Sequence, residues 1–176
     1  MKIAQICHRY HPNVGGVERH VQEIAERLAE RHEVEVISAD RSGNLPRCEE
    51  INGVKVTRLR SIAPGDAYFI APQIYSYIRK SNFDVIHAHN YHAFPALFAA
   101  LASKDEKFVF TPHYHGVGST PVRDLLNKPY KRIGSKIFER ADRIICVSNY
   151  ERELVIKDFG FEDKIKVIPN GINLEE

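Results

Sequence analysis

Apolar positions along this chain recur at two periods that take turns. Short apolar runs around Lys2-Ile3-Ala4-Gln5-Ile6, residues 33–38, 84–89, 107–111, 143–147 and 164–168 have the length of strands. Between them the spacing lengthens to that of a helix. Val17, Val21, Ile24, Ala25 and Leu28 fall on one helical face; Ile74, Tyr75 and Ile78 continue a helix that Pro72 starts. The small-residue run 92–103 predicts a third helix. Tyr130, Ile133, Gly134, Ile137, Phe138 and Ala141 predict a fourth, and residues 149–158 a fifth with Ser148 as its N-cap. Asn52-Gly53, between alternating flanks over 49–59, signals a hairpin whose second arm is the third strand of the sheet. Residues 39–48, 61–71 and 113–127 read as loops.

Strands that alternate with helices, and central strands that are continuous apolar runs, predict an α/β domain. It is a doubly wound, Rossmann-like parallel sheet with helices on both faces and the strand order 3-2-1-4-5-6. A chain of 176 residues can bury a substantial core as one domain. Its 43% hydrophobic and 27% charged content is that of an ordinary globular protein, and a net charge of +2 gives no reason to expect nucleic acid. Cys7, Cys48 and Cys146 are odd in number and far apart. That excludes a disulfide framework and a paired cysteine metal motif, and suggests a reducing cytoplasm. Met1-Lys2 leads directly into a strand, so no leader segment is expected, and no apolar run reaches the ~20 residues of a membrane span.

In open α/β sheets ligands bind beyond the carboxyl ends of the strands. The residues expected there are Cys7, His8, Arg9, His11 and Asn13; His89, Asn90, Tyr91 and His92; His113, Tyr114, His115 and Gly116; Ser148 and Asn149. Six of the nine histidines fall on that edge, with His20 and His32 assigned to the first helix and His87 to a strand interior. Gly15-Gly16 stands where the first loop enters the first helix. A helix N-terminus presents unpaired N–H groups and a positive dipole end, and glycine lets a phosphate approach the backbone.

Three chemistries fit this edge. Dinucleotide binding has Asp40 placed for a ribose, but the eight-residue loop 7–14 is too long and no G-x-G-x-x-G is present. A zinc site could draw on His89, His92, His113 and His115, but no carboxylate or cysteine accompanies them. Transfer of a sugar from a nucleotide diphosphate needs amides for the diphosphate and uncharged donors and acceptors for hydroxyls. Histidine and asparagine supply the latter. A phosphate- or small-molecule-binding module without catalysis is a further reading of the same edge.

Five motifs resemble the retaining glycosyltransferases of the GT-B group called family 4. They are Gly15-Gly16-Val17-Glu18-Arg19-His20, Asp84-Val85-Ile86-His87-Ala88-His89 and Thr111-Pro112-His113-Tyr114-His115-Gly116. Ala141-Asp142-Arg143-Ile144-Ile145-Cys146-Val147-Ser148 and Pro169-Asn170-Gly171-Ile172-Asn173 complete the set. The resemblance implies one half of a GT-B fold: residues 1–170 as the N-terminal, acceptor-side domain, and residues 171–176 as the start of a linker to a C-terminal donor-binding domain. It implies a nucleotide-diphosphate sugar as donor, a glycan or lipid-phosphate as acceptor, and no metal or other cofactor. Gly15 and Gly16 match the loop that approaches the donor phosphate. His113 matches the histidine at the transferred sugar, with His115 as the second candidate, and His11, Asn13, His89, His92, Ser148 and Asn149 fall in the substrate cleft. The half-enzyme is expected to be inactive alone. No carboxylate is expected on the cleft edge, which fits a route without a covalent glycosyl-enzyme.

Residues 123–143 carry seven basic side chains against three acids. A solvated helix face accounts for such a run. An anionic membrane surface or a lipid-phosphate acceptor is the functional alternative, with Tyr68-Phe69-Ile70 as its apolar part, so peripheral membrane contact enters as an expectation.

Overall fold

Among the described residues eight strands form a single sheet in the order β3-β4-β2-β1-β5-β6-β7-β8. They are β1 (Lys2–Cys7), β2 (Glu33–Asp40), β3 (Cys48–Ile51), β4 (Val54–Arg60), β5 (Val85–His89), β6 (Lys107–Thr111), β7 (Arg143–Cys146) and β8 (Ile165–Val167). The computed structural model describes residues 1–116 and 121–171, side chains 121–129 excepted. All strand pairs are parallel except β3 with β4, the hairpin joined by Asn52 and Gly53. Both turn residues have positive φ, the backbone of a tight hairpin whose twist matches its strands. Apart from that edge hairpin and the added β8, the order is the doubly wound one that the alternating periods predict.

Among the described residues five α-helices flank the sheet: α1 (Gly16–Ala29), α2 (Gln73–Arg79), α3 (Phe94–Ala102), α4 (Pro121–Arg140) and α5 (Asn149–Phe159). Successive side chains of a strand point to opposite faces, and the core divides accordingly. On one face Ala4, Ile6, Ile37, Leu59, Ile86, Ala88, Phe108 and Phe110 pack against α2, α3 and α4. On the other, Val34, Val36, Val54 and Val56 pack against Val21 and Ala25 of α1. Gly134 lets α4 come down onto the ring of Tyr91, since a Cβ there would stand 2.7 Å from Tyr91 Cε2.

Two predicted details change. Helix α4 starts at Pro121, inside the stretch read as a loop. Proline suits the first turn of a helix, whose N–H has no partner, but Pro129 farther on reads as a breaker and hid the first two turns. Ile133 and Tyr75, assigned to apolar helix faces, are exposed.

Candidate functional site

The central strands are apolar on one face only. In the parallel register Gln5 pairs with His87 and His89 with Thr111, and all four point away from the face that holds Ile86 and Phe110. They form a buried polar row. His89 Nε2 donates to Gln5 Oε1 at 2.7 Å, and His87 Nε2 lies 2.8 Å from Thr111 Oγ1. The His87 and His89 rings are 4.1 Å apart. Two more rings close over this row. His20, one turn into α1, makes edge contacts with His89 at 5.5 Å and His113 at 5.0 Å, and His113 stacks on His89 at 6.1 Å. The Asn170 side chain lies near enough to His20 to favour its protonated form, which brings the far end of the described chain to the same crevice.

The backbone around the crevice is tightly specified. Asn90 and His113 follow β5 and β6 and both adopt positive φ, 69° and 47°. Asparagine tolerates this region; histidine holds it at a cost of order 1 kcal/mol, which the surrounding contacts must offset. Asn90 N–H donates to Thr111 O at 3.0 Å, and the Asn90 side chain reaches His8 Nδ1 at 3.2 Å. On the far side of His113, Tyr114 N–H donates to Glu151 Oε1 and Val147 N–H to Glu151 Oε2, each at 2.7 Å. One buried carboxylate thus ties the loop after β6 to the end of β7.

Helix α1 reaches this crevice through His20, one turn after its N-terminus, where Gly15 is the N-cap. Gly16 has open space where a Cβ would be, as an approaching anion requires. Gly15 serves a different purpose. A Cβ on it would collide with Oε2 of Glu18, which folds back beneath the turn and is almost fully buried. Glu18 Oε1 accepts from Arg9 Nε at 2.9 Å and lies 3.3 Å from His8 Nε2; Arg9 also reaches Asp66 Oδ2 at 2.9 Å. The expectation that no carboxylate stands on this edge is therefore wrong. A single acid in a helical stretch reads as solvent-facing, but this one sits at the third helical position, from which it turns back toward the cap.

The predicted site residues separate into groups. His113 and His89 meet over the polar row. His92 stacks instead on Tyr114 at 5.7 Å and on the exposed His115 at 6.3 Å. His11 and Asn13 are exposed: the His11 carbonyl anchors Arg58 at 2.7 Å, and the Asn13 amide closes a turn on Tyr10 O at 3.0 Å. Ser148 caps α5 as predicted, its Oγ accepting from Glu151 N–H at 3.1 Å, and Asn149 is exposed. The residues that sequence reasoning left out are Gln5, His20, His87 and Thr111, with Glu18 beneath the glycine turn. Alternation within Val85-Ile86-His87-Ala88-His89 was the available signal for His87.

Burial keeps the rings uncharged. It lowers His87 and His113 to about 3 and His8 and His92 to about 4, and it pushes His20 and His89 down as well. Among the described residues, His20 Nε2, His89 Nδ1, His113 Nε2 and Gln5 Nε2 are buried without a hydrogen-bond partner. A crevice lined by unpaired neutral polar atoms is suited to hydroxyl groups or a cation, both of which take lone pairs without meeting a charge.

Part of the apolar and basic surface expected at a membrane is engaged within the fold. Phe69 is buried against His8 and Arg9 rather than presented outward. Lys131 pairs with Asp158 at 2.9 Å, and Arg140 donates to the carbonyls of Lys104 and Glu106. The side chains of Arg123, Asp124 and Lys128, and the last two residues of the 169–173 motif, lie outside the described residues. Among the described residues no helix is long and apolar enough to cross a membrane.

Comparison with known proteins gives this crevice its context. The model of Glycosyltransferase Family 4 matches residues 14–176. An uncharacterized glycosyltransferase of Methanocaldococcus jannaschii is 31% identical, covering 98% of this chain and 47% of its own length. The GDP-mannose:cellobiosyl-diphosphopolyprenol alpha-mannosyltransferase of Komagataeibacter xylinus is 26% identical, covering 98% and 44%. Sucrose-phosphate synthase of Thermosynechococcus elongatus matches the fold with a TM-score of 0.76 at 19% identity, over 99% of this chain and 49% of that one. Anabaena HepE in complex with UDP-glucose matches at 0.72 and 20%, over 99% and 45%. At those identities the solved structures speak to the fold, which is that of a Rossmann-like half of a GT-B glycosyltransferase. The chain spans about half the length of the curated relatives it matches. It belongs to glycosyltransferase family 4.

Proposed function

We propose that this chain is the N-terminal, acceptor-side domain of a retaining glycosyltransferase that moves a sugar from a nucleotide-diphosphate donor to a glycan or lipid-linked acceptor. Residues 1–170 form that domain, and the segment from Gly171 leads to a second Rossmann-like domain that holds the nucleotide. The observation that carries this reading is the ring contact of the uncharged His113 with His20, one turn after the open Gly16 position of α1, in a chain of this family. The leaving diphosphate gathers negative charge as the sugar departs, and the N–H groups at the start of α1 are aimed outward to meet it. Arg9 neutralises Glu18, so the acid beneath the turn does not cancel that field. His113, with Nε2 unpaired, orients a sugar hydroxyl without committing a charge. A HepE complex with UDP-glucose and a mannosyltransferase named for a diphosphopolyprenol substrate support the donor and acceptor classes.

The test joins the chain to its donor-binding domain and follows the anomeric configuration of the product by NMR. The expected product keeps the donor's configuration, and His113→Ala lowers kcat/KM at least about tenfold, the loss of one polar contact to the reacting sugar. An inverted product would overturn retention. Transfer indifferent to His113→Ala would remove that residue from the site. The non-catalytic alternative, a binding module, requires instead that residues 1–176 alone bind a phosphorylated ligand with an affinity that the same substitution leaves unchanged.

A further inference from the structure

Three neighbouring strands, in the order β4-β2-β1, each bring an arginine to their carboxyl ends. Arg60 is the last residue of β4, Arg41 follows β2 directly, and Arg9 stands two residues beyond β1. Two of them close on one carboxylate. Arg9 Nη1 donates to Asp66 Oδ2 at 2.9 Å, and Arg41 Nη1 reaches Oδ1 at 3.4 Å. Arg60 lies alongside. Its Nε is 3.7 Å from where a Cβ on Gly43 would stand, in the turn that carries Arg41. We infer that Arg9, Arg41 and Arg60 form a binding site for a phosphate group, in which Asp66 is the resident anion that the ligand displaces.

The other acids at this edge are already engaged. Glu18 is buried and held by Arg9 Nε at 2.9 Å and His8 Nε2 at 3.3 Å. Asp40 accepts from the N–H and the hydroxyl of Ser42, at 2.9 and 2.8 Å. Glu49 pairs with the buried Arg58. Asp66 alone is left to answer Arg41 and the Nη1 edge of Arg9, and among the described residues Arg60 has no ion-pair partner. A half-exposed carboxylate shared in this way adds little to stability. It is carried on a turn in which Gly65, Asp66, Tyr68 and Phe69 all have positive φ, a backbone uncommon outside glycine. The base of the turn is fixed. Phe69 is buried, with the Arg9 guanidinium 5.6 Å from its ring centre and the His8 ring 5.1 Å away, so Arg9 keeps its place when Asp66 turns aside. A phosphate carries more charge than a carboxylate and three acceptor oxygens, and the planar fork of arginine matches them. Arg9 offers it Nη1 and leaves Nε on Glu18, so the acid beneath the glycine turn stays neutralised. In the transfer reading, on which this identity of the ligand rests, the phosphate belongs to the acceptor. The arginines follow β1, β2 and β4, whereas His89 and His113 belong to β5 and the loop after β6, on the other side of β1, so the two sites share no residue.

Binding is measured on the chain, residues 1–176, with no sugar present, so its failure leaves the transfer reading standing. Inorganic phosphate and pyrophosphate are titrated by calorimetry. Vesicles of phosphatidylcholine, with and without phosphatidic acid, are sedimented with the protein. A single saturable site is expected, weakened by added salt. Saturation by the free anions marks a soluble phosphate as the source, and binding to phosphatidic acid vesicles alone marks a lipid one; either supports the site when the variants agree. Arg41→Gln and Arg60→Gln should each weaken binding by at least about tenfold. Asp66→Asn should tighten it by about fivefold, because it removes the competing charge. Arg79→Gln, at the end of α2 on the opposite edge of the sheet, should leave it unchanged. Circular dichroism checks that each variant folds. No saturable binding of any of the three phosphate probes, or binding that folded Arg41→Gln and Arg60→Gln leave intact, would overturn the site. Weaker binding by Asp66→Asn would overturn the part given to Asp66.

Discussion

Gly15 and Gly16 are adjacent and chemically identical, yet they carry different loads. At Gly15 an added Cβ meets Glu18, and Glu18 can withdraw only by leaving Arg9 and His8. Gly15→Ala should cost about 1–2 kcal/mol of unfolding free energy, the range for a disturbed buried ion pair. In a Glu18→Gln background the cost should shrink, because the pair is already broken; a denaturant-melt double-mutant cycle measures the coupling, and strict additivity would refute the packing argument. Gly16→Ala, with nothing near its Cβ and a helical position, should be neutral or stabilising by up to ~1 kcal/mol. From the sequence both glycines looked like phosphate ligands, since a one-dimensional pattern shows where side chains are absent but not what fills the space. His20 was hidden for a similar reason. It flanks the apolar stripe of α1, and only the approach of His89 and His113 gives it company.

Among elements, the sheet and its helices were legible because two hydrophobic periods differ so plainly, and errors fell where a residue contradicts its period. Pro129 interrupts α4 on paper but not in the fold. The central strands were read as apolar on both faces, when Gln5, His87, His89 and Thr111 make one face polar. The joint between β6 and α5 depends on Glu151, buried and holding two backbone N–H groups. Burial pushes its carboxyl up, and the two N–H donors pull it back toward the charged form. Glu151→Ala leaves both donors unpaired and should destabilise by ~3 kcal/mol in a thermal or urea melt. Ser148→Ala removes only the cap and should cost ~1 kcal/mol. An equal cost for the two would mean that Glu151 acts as an ordinary helix residue and not as the tie that seats His113.

For the whole molecule the buried histidines set a pH dependence. In the folded state His8 and His92 stay neutral down to about 4 and His87 and His113 to about 3, whereas in the unfolded chain they protonate near 6.5. Below 6.5 the unfolded state therefore binds more protons, so these groups lower stability as pH falls and stop doing so below about 3. Urea midpoints should be flat above pH 7 and decline from about 6.5 downward, each buried ring adding at most ~1.4 kcal/mol per pH unit. His87→Gln should flatten part of that slope. The same neutrality underlies the functional reading, in which hydroxyls meet uncharged rings and the diphosphate meets the end of a helix. The most direct measurement is the rate of sugar transfer by the chain joined to its donor-binding domain, comparing wild type with Gly16→Ala. A Cβ at the mouth of α1 should lower kcat/KM at least about tenfold while the melting temperature holds or rises. A wild-type rate from a correctly folded Gly16→Ala protein would contradict the account, because the turn would then not be where the leaving diphosphate is received.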